Sequence, residues 1–284
     1  VSFNNNQNLI VFCSSLTAAA TTSTVSLTNN GVKESVKSKV PLSIIIDLDN
    51  LKLAPHRLLR SALGDVLCRS TCQVDWLTSH LLLNAEYDET PFALQYEDEK
   101  ILLENSSKLL IGDYKALAAL SRMTLLNGIA AIIVGSTHAG SMGEHLISHY
   151  IDMFMGDKHP GTLHGEQVGV TTLLISKIQN QIINFSDNLE FKKLKVTEED
   201  FEKLFGNKIH TQMFKQFQSK FFDNEKLNNV NNLLKTKWPD QRAILKKHLL
   251  PTKKIEKALK NCGAPISNGE LGISNNFFNR AIQD

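Results

Sequence analysis

Apolar residues recur every three or four positions from about residue 50 onward, whereas the stretch before it alternates or runs in short bursts. LIVFC reads as a strand, and TVSLTNNGVKESV alternates about Asn30-Gly31, a strong hairpin-turn signal. Pro41 to Asp49, PLSIIIDLD, is a short apolar run ending in acids and reads as a buried strand. Pro55 suits the first turn of a helix HRLLRSALG, which Gly64 is expected to break, with Asp65 opening the next helix, DVLCRSTCQVDWLTSHLL. Pro91 to Asn105 reads as a helix or loop on the surface. LLIGDYKALAALSRMTLLNG carries a helical pattern into the core, and Met123 to Gly135 reads as a buried helix too short to span a bilayer. After Ile183, Lys and Asn become dense while apolar residues keep helical spacing, the pattern of amphipathic helices with solvated basic faces. Thr197 with Asp200 resembles a capping box, Pro239 suits another helix start, and KALKNCGAP closes a helix at Gly263.

The expected fold is mainly α: a β-hairpin region and one strand leading into a compact bundle of about eight helices, with no internal repeat and no transmembrane segment. With 284 residues, 42% of them hydrophobic, the chain is long enough for a sizeable core. A net charge of +2 implies no particular partner. The basic helices interleave acids and do not array aromatics for stacking, which argues against a nucleic-acid face. The four cysteines, Cys13, Cys68, Cys72 and Cys262, form neither a zinc-finger pattern nor a disulfide framework, so reduced buried thiols of a cytoplasmic protein are expected. The first residue is Val, and no basic region precedes the apolar run LIVFCSSL, so a signal peptide is not expected.

Candidate chemistry is concentrated between Gly135 and Leu174, which holds five of the nine histidines. His145 and His149 are one helical turn apart in EHLISHYIDMF, so a helix points both imidazoles the same way. His164 opens a second helical pattern, HGEQVGVTTLLISKI, and the three imidazoles can converge on one ion. Asp65 is a candidate carboxylate, with a helix cap as its bland alternative. HxxxH alone is weak, since such histidines often bond only a backbone carbonyl, and the HExxH metalloprotease signature is absent. Lys158 and His159 could meet a phosphate, with a solvated loop as the stronger reading.

GSTHAGSMGEHLISHYID followed by LHGEQVGVTTLL resembles the metal-site segment of the sn-glycerol-1-phosphate dehydrogenases, in the iron-alcohol-dehydrogenase and dehydroquinate-synthase-like superfamily. The upstream IIIDLDNLKLAPHRLLRSALGDVLCRSTCQVDWLTSH and the later GAPISNGELGIS are similar to the same family. The resemblance implies that residues 50–284 form the helical metal-binding catalytic domain and that residues 1–49 are a β-rich remnant of the cofactor-binding half. It implies one divalent ion, zinc with nickel or iron as alternatives, held by Asp65, His145 and His164. Asp65 and His149 would meet substrate and act in catalysis, His149 by touching substrate or relaying its proton, or as a further ligand. NAD or NADP is the implied cofactor, with Thr17 and Ser26 at its contact positions. Thr22 stands where the family has an aspartate that contacts substrate. The implied partner is a small phosphorylated molecule, dihydroxyacetone phosphate or sn-glycerol 1-phosphate, with a homo-oligomer allowed and no nucleic acid or membrane.

The family's nucleotide-binding domain carries a glycine-rich phosphate loop, and these residues contain neither adjacent glycines nor GxGxxG. The chain is therefore expected to be a piece of a larger protein, ending just short of the family's terminal segment. A dehydroquinate-synthase-like lyase, a non-catalytic metal-binding remnant and a plain helical interaction domain, which would make the histidines coincidental, are the alternatives.

Overall fold

The structure is a computed structural model that describes residues 2–18, 21–29, 31–185, 188–218 and 220–283. Four short strands come first: β1 (Ile10–Phe12), β2 (Thr24–Asn29), β3 (Val32–Lys37) and β4 (Ser43–Ile45). Strands β1 and β4 pair in parallel, Ile10 opposite Ser43, and β2 and β3 form an antiparallel hairpin, Ser26 opposite Ser35. Asn30, the first residue of the expected turn, lies outside the described residues; Gly31 beside it takes a φ of +87°, the left-handed region that a hairpin turn demands. The Pro41–Asp49 run differs from the expected buried strand. Only Ser43–Ile45 is extended, Ser43 and Ile45 are exposed in a sheet of two strands among the described residues, and Asp47 caps a helix instead.

Twelve α-helices follow among the described residues, more than the eight or so expected. They are α1 (Leu48–Lys52), α2 (His56–Val66), α3 (Arg69–Leu83), α4 (Thr90–Asn105), α5 (Tyr114–Val134) and α6 (Gly143–Phe154). After these come α7 (His164–Phe185), α8 (Glu198–Phe205), α9 (His210–Gln218), α10 (Asn224–His248), α11 (Thr252–Asn261) and α12 (Asn275–Gln283). Helix α5 starts where the Asp113 side chain accepts from the Ala116 amide and ends at Gly135, whose φ is +68°. Its 21 residues make it longer than the Met123–Gly135 segment expected, and by length and composition it could cross a membrane. Half of its most apolar window is buried within the fold, and Arg122 midway along it pairs with Asp98 of α4 at 2.5 Å.

Leu117, Leu120 and Met123 of α5 pack with Leu59, Leu63 and Leu67 beneath and with Ile255 and Leu259 of α11 in the main core. Fully burying each such side chain contributes about 1.5–3 kcal/mol. Helix α4 is not the surface element expected: Phe92 and Leu102 are fully buried, and Arg69 of α3 forms a buried pair with Glu99 at 2.9 Å. Phe92 clusters with Ala130 of α5 and Leu102 with Leu117 and Leu120, tertiary contacts that the mixed composition of α4 conceals. Pro239 does not start a helix but lies inside α10, which begins under the Asp223 cap. The stripe Val230, Leu234, Trp238, Leu245 seats α10 continuously against Val74 and Leu77 of α3, and that burial carries the helix through the proline. The capping box at Thr197 and Asp200 forms as expected, and all four cysteines are buried free thiols.

Gly64 also departs from the expected break. Helix α2 runs through it to Val66, because α7 crosses there at backbone distance: a Cβ on Gly64 would lie 2.1 Å from the Gly165 carbonyl oxygen. Asp65 is therefore a last-turn residue facing α7, not the first residue of α3.

Candidate metal centre

Three elements converge on one point. Helix α2 brings Asp65, α6 brings His145 and His149, and the first residue of α7 is His164. His145 Nε2 lies 3.5 Å and His164 Nε2 3.7 Å from Asp65 Oδ1. That oxygen is enclosed and has no hydrogen-bond partner. A buried carboxylate oxygen left unpaired carries a large desolvation cost. A tetrahedral ion with bonds of about 2.1 Å separates its ligand atoms by about 3.4 Å, so the spacing suits a small divalent cation. The one carboxylate and two imidazoles are donors for zinc, nickel or iron.

His149 stands at the edge of this group, its ring centroid 6.2 Å from that of His145 and 6.0 Å from that of His164. Burial opposes charge on His145, but the carboxylates of Asp65 and Glu144 outweigh it and raise its pKa well above the usual imidazole range. Burial also opposes charge on Asp65, and the two imidazoles more than offset it, holding its pKa low. His149 moves the other way, down to about 3, first through burial and then through the charges of Lys33 and the neighbouring histidines. His164 falls to about 4 for similar reasons, with Asp65 partly opposing.

Around these residues is a polar shell that the sequence reading did not single out. Glu144, fully buried, accepts from His145 Nδ1 at 2.9 Å and from the Met142 amide at 2.8 Å. Lys33 reaches from β3 to Asp152 at 2.6 Å, and Gln167 Nε2 donates to the same carboxylate at 3.0 Å. His159 is held by Asp152 at 3.3 Å and by Gln167 at 3.0 Å, so it is not a solvated loop residue, whereas Lys158 is exposed. Glu144 and Asp152 had a local signal, one residue before His145 and three after His149 on the same helix. Lys33 had none, since only the docking of the hairpin on α6 brings it in.

Thr17 and Ser26 are both exposed, Thr17 in a loop and Ser26 on β2, and neither is part of the Asp65–His145–His164 cluster. Thr22 is buried, its hydroxyl accepting from the Thr24 amide, the geometry of a local turn.

No family model matches the chain. Among curated proteins it is similar to glycerol-1-phosphate dehydrogenase (NAD(P)+) of Pyrococcus horikoshii, 32% identical over 145 residues, 51% of this chain and 41% of that protein. The enzyme of the same name from Thermococcus kodakarensis is 32% identical over 151 residues, 53% of this chain and 42% of its own length. The one from Halalkalibacterium halodurans is 31% identical over 150 residues, 52% and 38%. The chain thus spans about two-fifths of the length of these relatives. Among solved structures, maleylacetate reductase from a Rhizobium strain matches 99% of this chain and 61% of its own, with TM-score 0.56 at 13% identity. NADH-dependent butanol dehydrogenase A from Thermotoga maritima matches 98% and 57%, with TM-score 0.52 at 16% identity. The sequence matches make this chain a relative of the glycerol-1-phosphate dehydrogenases, and the structural matches give it the fold that maleylacetate reductase and butanol dehydrogenase A share.

Proposed function

We propose that Asp65, His145 and His164 hold one divalent ion and that the chain is the metal-binding half of an NAD(P)-dependent oxidoreductase interconverting dihydroxyacetone phosphate and sn-glycerol 1-phosphate. The observation that carries the reading is Asp65 Oδ1, enclosed without a hydrogen bond and faced by two imidazole nitrogens at 3.5 and 3.7 Å. The names of the sequence relatives supply glycerol 1-phosphate and NAD(P), and dihydroxyacetone phosphate is the ketone left when the secondary alcohol of glycerol 1-phosphate loses hydride and proton. In this reading residues 1–49 belong to the cofactor-binding half, with Thr17 and Ser26 at the nicotinamide end. A homo-oligomer in the cytoplasm belongs to the same reading, through the family resemblance.

When bound, the ion supplies a Lewis acid for the substrate oxygen and the nicotinamide supplies or accepts hydride. Asp65, His145 and His164 would hold that ion. His149, beside them on the next turn of α6, hydrogen-bonds the reacting hydroxyl and relays its proton towards the open side of the site as the carbon loses hydride, and relays one back in the reverse direction. The surrounding core keeps one side of the site dry, while His164, 40% exposed at the side chain, marks the open side.

Calorimetric titration of sn-glycerol 1-phosphate into the chain, zinc-loaded and metal-free, tests the reading without a nucleotide. Saturable heat only in the loaded protein, reduced by His149→Ala, is the expected result. No heat in either form, or equal heat in both, would remove the substrate assignment and favour a metal-binding remnant.

A further inference from the structure

Each imidazole that faces Asp65 has its other ring nitrogen committed to a buried acceptor, and the two commitments are built differently. His145 Nδ1 donates directly to Glu144 at 2.9 Å. Among the described residues Glu144 has no Lys or Arg partner; its ion pair is with His145 alone. It is kept buried by neutral donors: the Met142 amide at 2.8 Å, the Cys72 thiol at 3.1 Å, and Thr71 Oγ1 at 3.2 Å. Thr71 shares its single proton between Glu144 and the Cys68 carbonyl, 2.8 Å away. A sealed carboxylate is among the costliest groups that a core can hold, and this one is aimed at one imidazole.

His164 is fixed through a chain whose direction is set at its far end. Lys33 holds Asp152 ionised, and a carboxylate only accepts, so Gln167 must present its amide nitrogen to Asp152. Gln167 Oε1 therefore points the other way and accepts from the Ser148 hydroxyl at 2.7 Å. With its one proton spent, Ser148 Oγ can only accept from His164 Nδ1, 3.2 Å away.

We propose that Glu144 and Ser148 are positioning residues, locking His145 and His164 with Nδ1 as donor so that both Nε2 lone pairs serve the ion. The inference rests on the metal reading above and adds to it which residues set ligand tautomer and aim. Partners of this kind typically change metal affinity by about 10–100-fold.

The test uses the full chain with Glu144→Gln and Ser148→Ala, measuring zinc affinity by chelator competition and the imidazole N–H resonances of the zinc-loaded protein. Each variant should bind one zinc about 10–100-fold more weakly. Glu144→Gln should displace the His145 Nδ1–H resonance and leave that of His164, and Ser148→Ala should do the reverse. Affinity unchanged in both variants, or both resonances moving together, would overturn the proposal. Two zinc ions per unmodified chain, the second lost in Cys68→Ala, would also overturn it, because Cys68, Glu144 and His145 would then be ligands of their own site. If the unmodified chain holds zinc no better than Asp65→Ala, the metal reading itself fails and the proposal falls with it.

Discussion

Gly64 of α2 and Gly165 of α7 meet backbone to backbone. A Cβ on Gly64 would lie 2.1 Å from the Gly165 carbonyl oxygen, and one on Gly165 would lie 1.9 Å from that of Ser61. Each glycine adjoins a site residue, Asp65 on one helix and His164 on the other, so the distance between helices is also the distance across the site. Gly64→Ala should destabilise the fold by about 1–3 kcal/mol or more, since backbone cannot yield as a side chain does. It should also weaken zinc retention. Gly269→Ala, where the nearest atom is Ser267 Oγ at 3.9 Å, is the neutral comparison. Thermal unfolding and metal content measured together check this; a Gly64→Ala protein as stable as wild type with full metal content would contradict it.

Metal content after extensive dialysis should be about one ion per chain, and Asp65→Ala, His145→Ala and His164→Ala should each lose it. His149→Ala should retain the ion, because its ring stands about 6 Å from the other two and outside the proposed ligand group. Equal loss in His149→Ala would make it a fourth ligand. Full retention in the other three variants would place the ion elsewhere.

Asp75 provides a pH prediction away from the ligands. Burial pushes its pKa from 3.8 up to about 6, and the charge of Glu144 adds to the rise, while Gln179 donates to it at 2.7 Å and opposes it. The folded state then binds more protons than the unfolded state between about pH 4 and pH 6, so this residue's contribution to stability falls as pH rises through that window. Asn keeps an acceptor for Gln179 without the charge. Asp75→Asn should therefore gain about 1–3 kcal/mol at pH 7 and almost nothing near pH 4. Urea denaturation at the two pH values measures it, and an equal effect at both would refute the assignment.

The 284 residues lack a glycine-rich dinucleotide turn, and Thr17 and Ser26 offer only a few hydrogen bonds of about 1 kcal/mol each. Such contacts do not offset the entropy of ordering a dinucleotide. This chain, loaded with zinc, should show no saturable change in NADH fluorescence. Micromolar binding would reveal a nucleotide site within these residues.

Local physics made part of this protein legible from its residues. The mainly α architecture, the Thr197–Asp200 box, the hairpin at Gly31 and the shared helix face of His145 and His149 all follow from caps, turn chemistry and the 3.6-residue period, which act over a few positions. Tertiary structure decided whatever depends on one element meeting another. Gly64 carries a breaker's identity but serves a helix crossing, and α4 hides its buried face until α5 covers it. Pro239 stays inside α10 because a long apolar stripe is already seated on α3. Lys33 enters the polar shell only because the hairpin docks on α6, and Asp65 meets His164 only because α2 crosses α7. Periodicity records which face of a helix is apolar. It carries no record of which distant element will cover that face, and the site lies where those coverings meet.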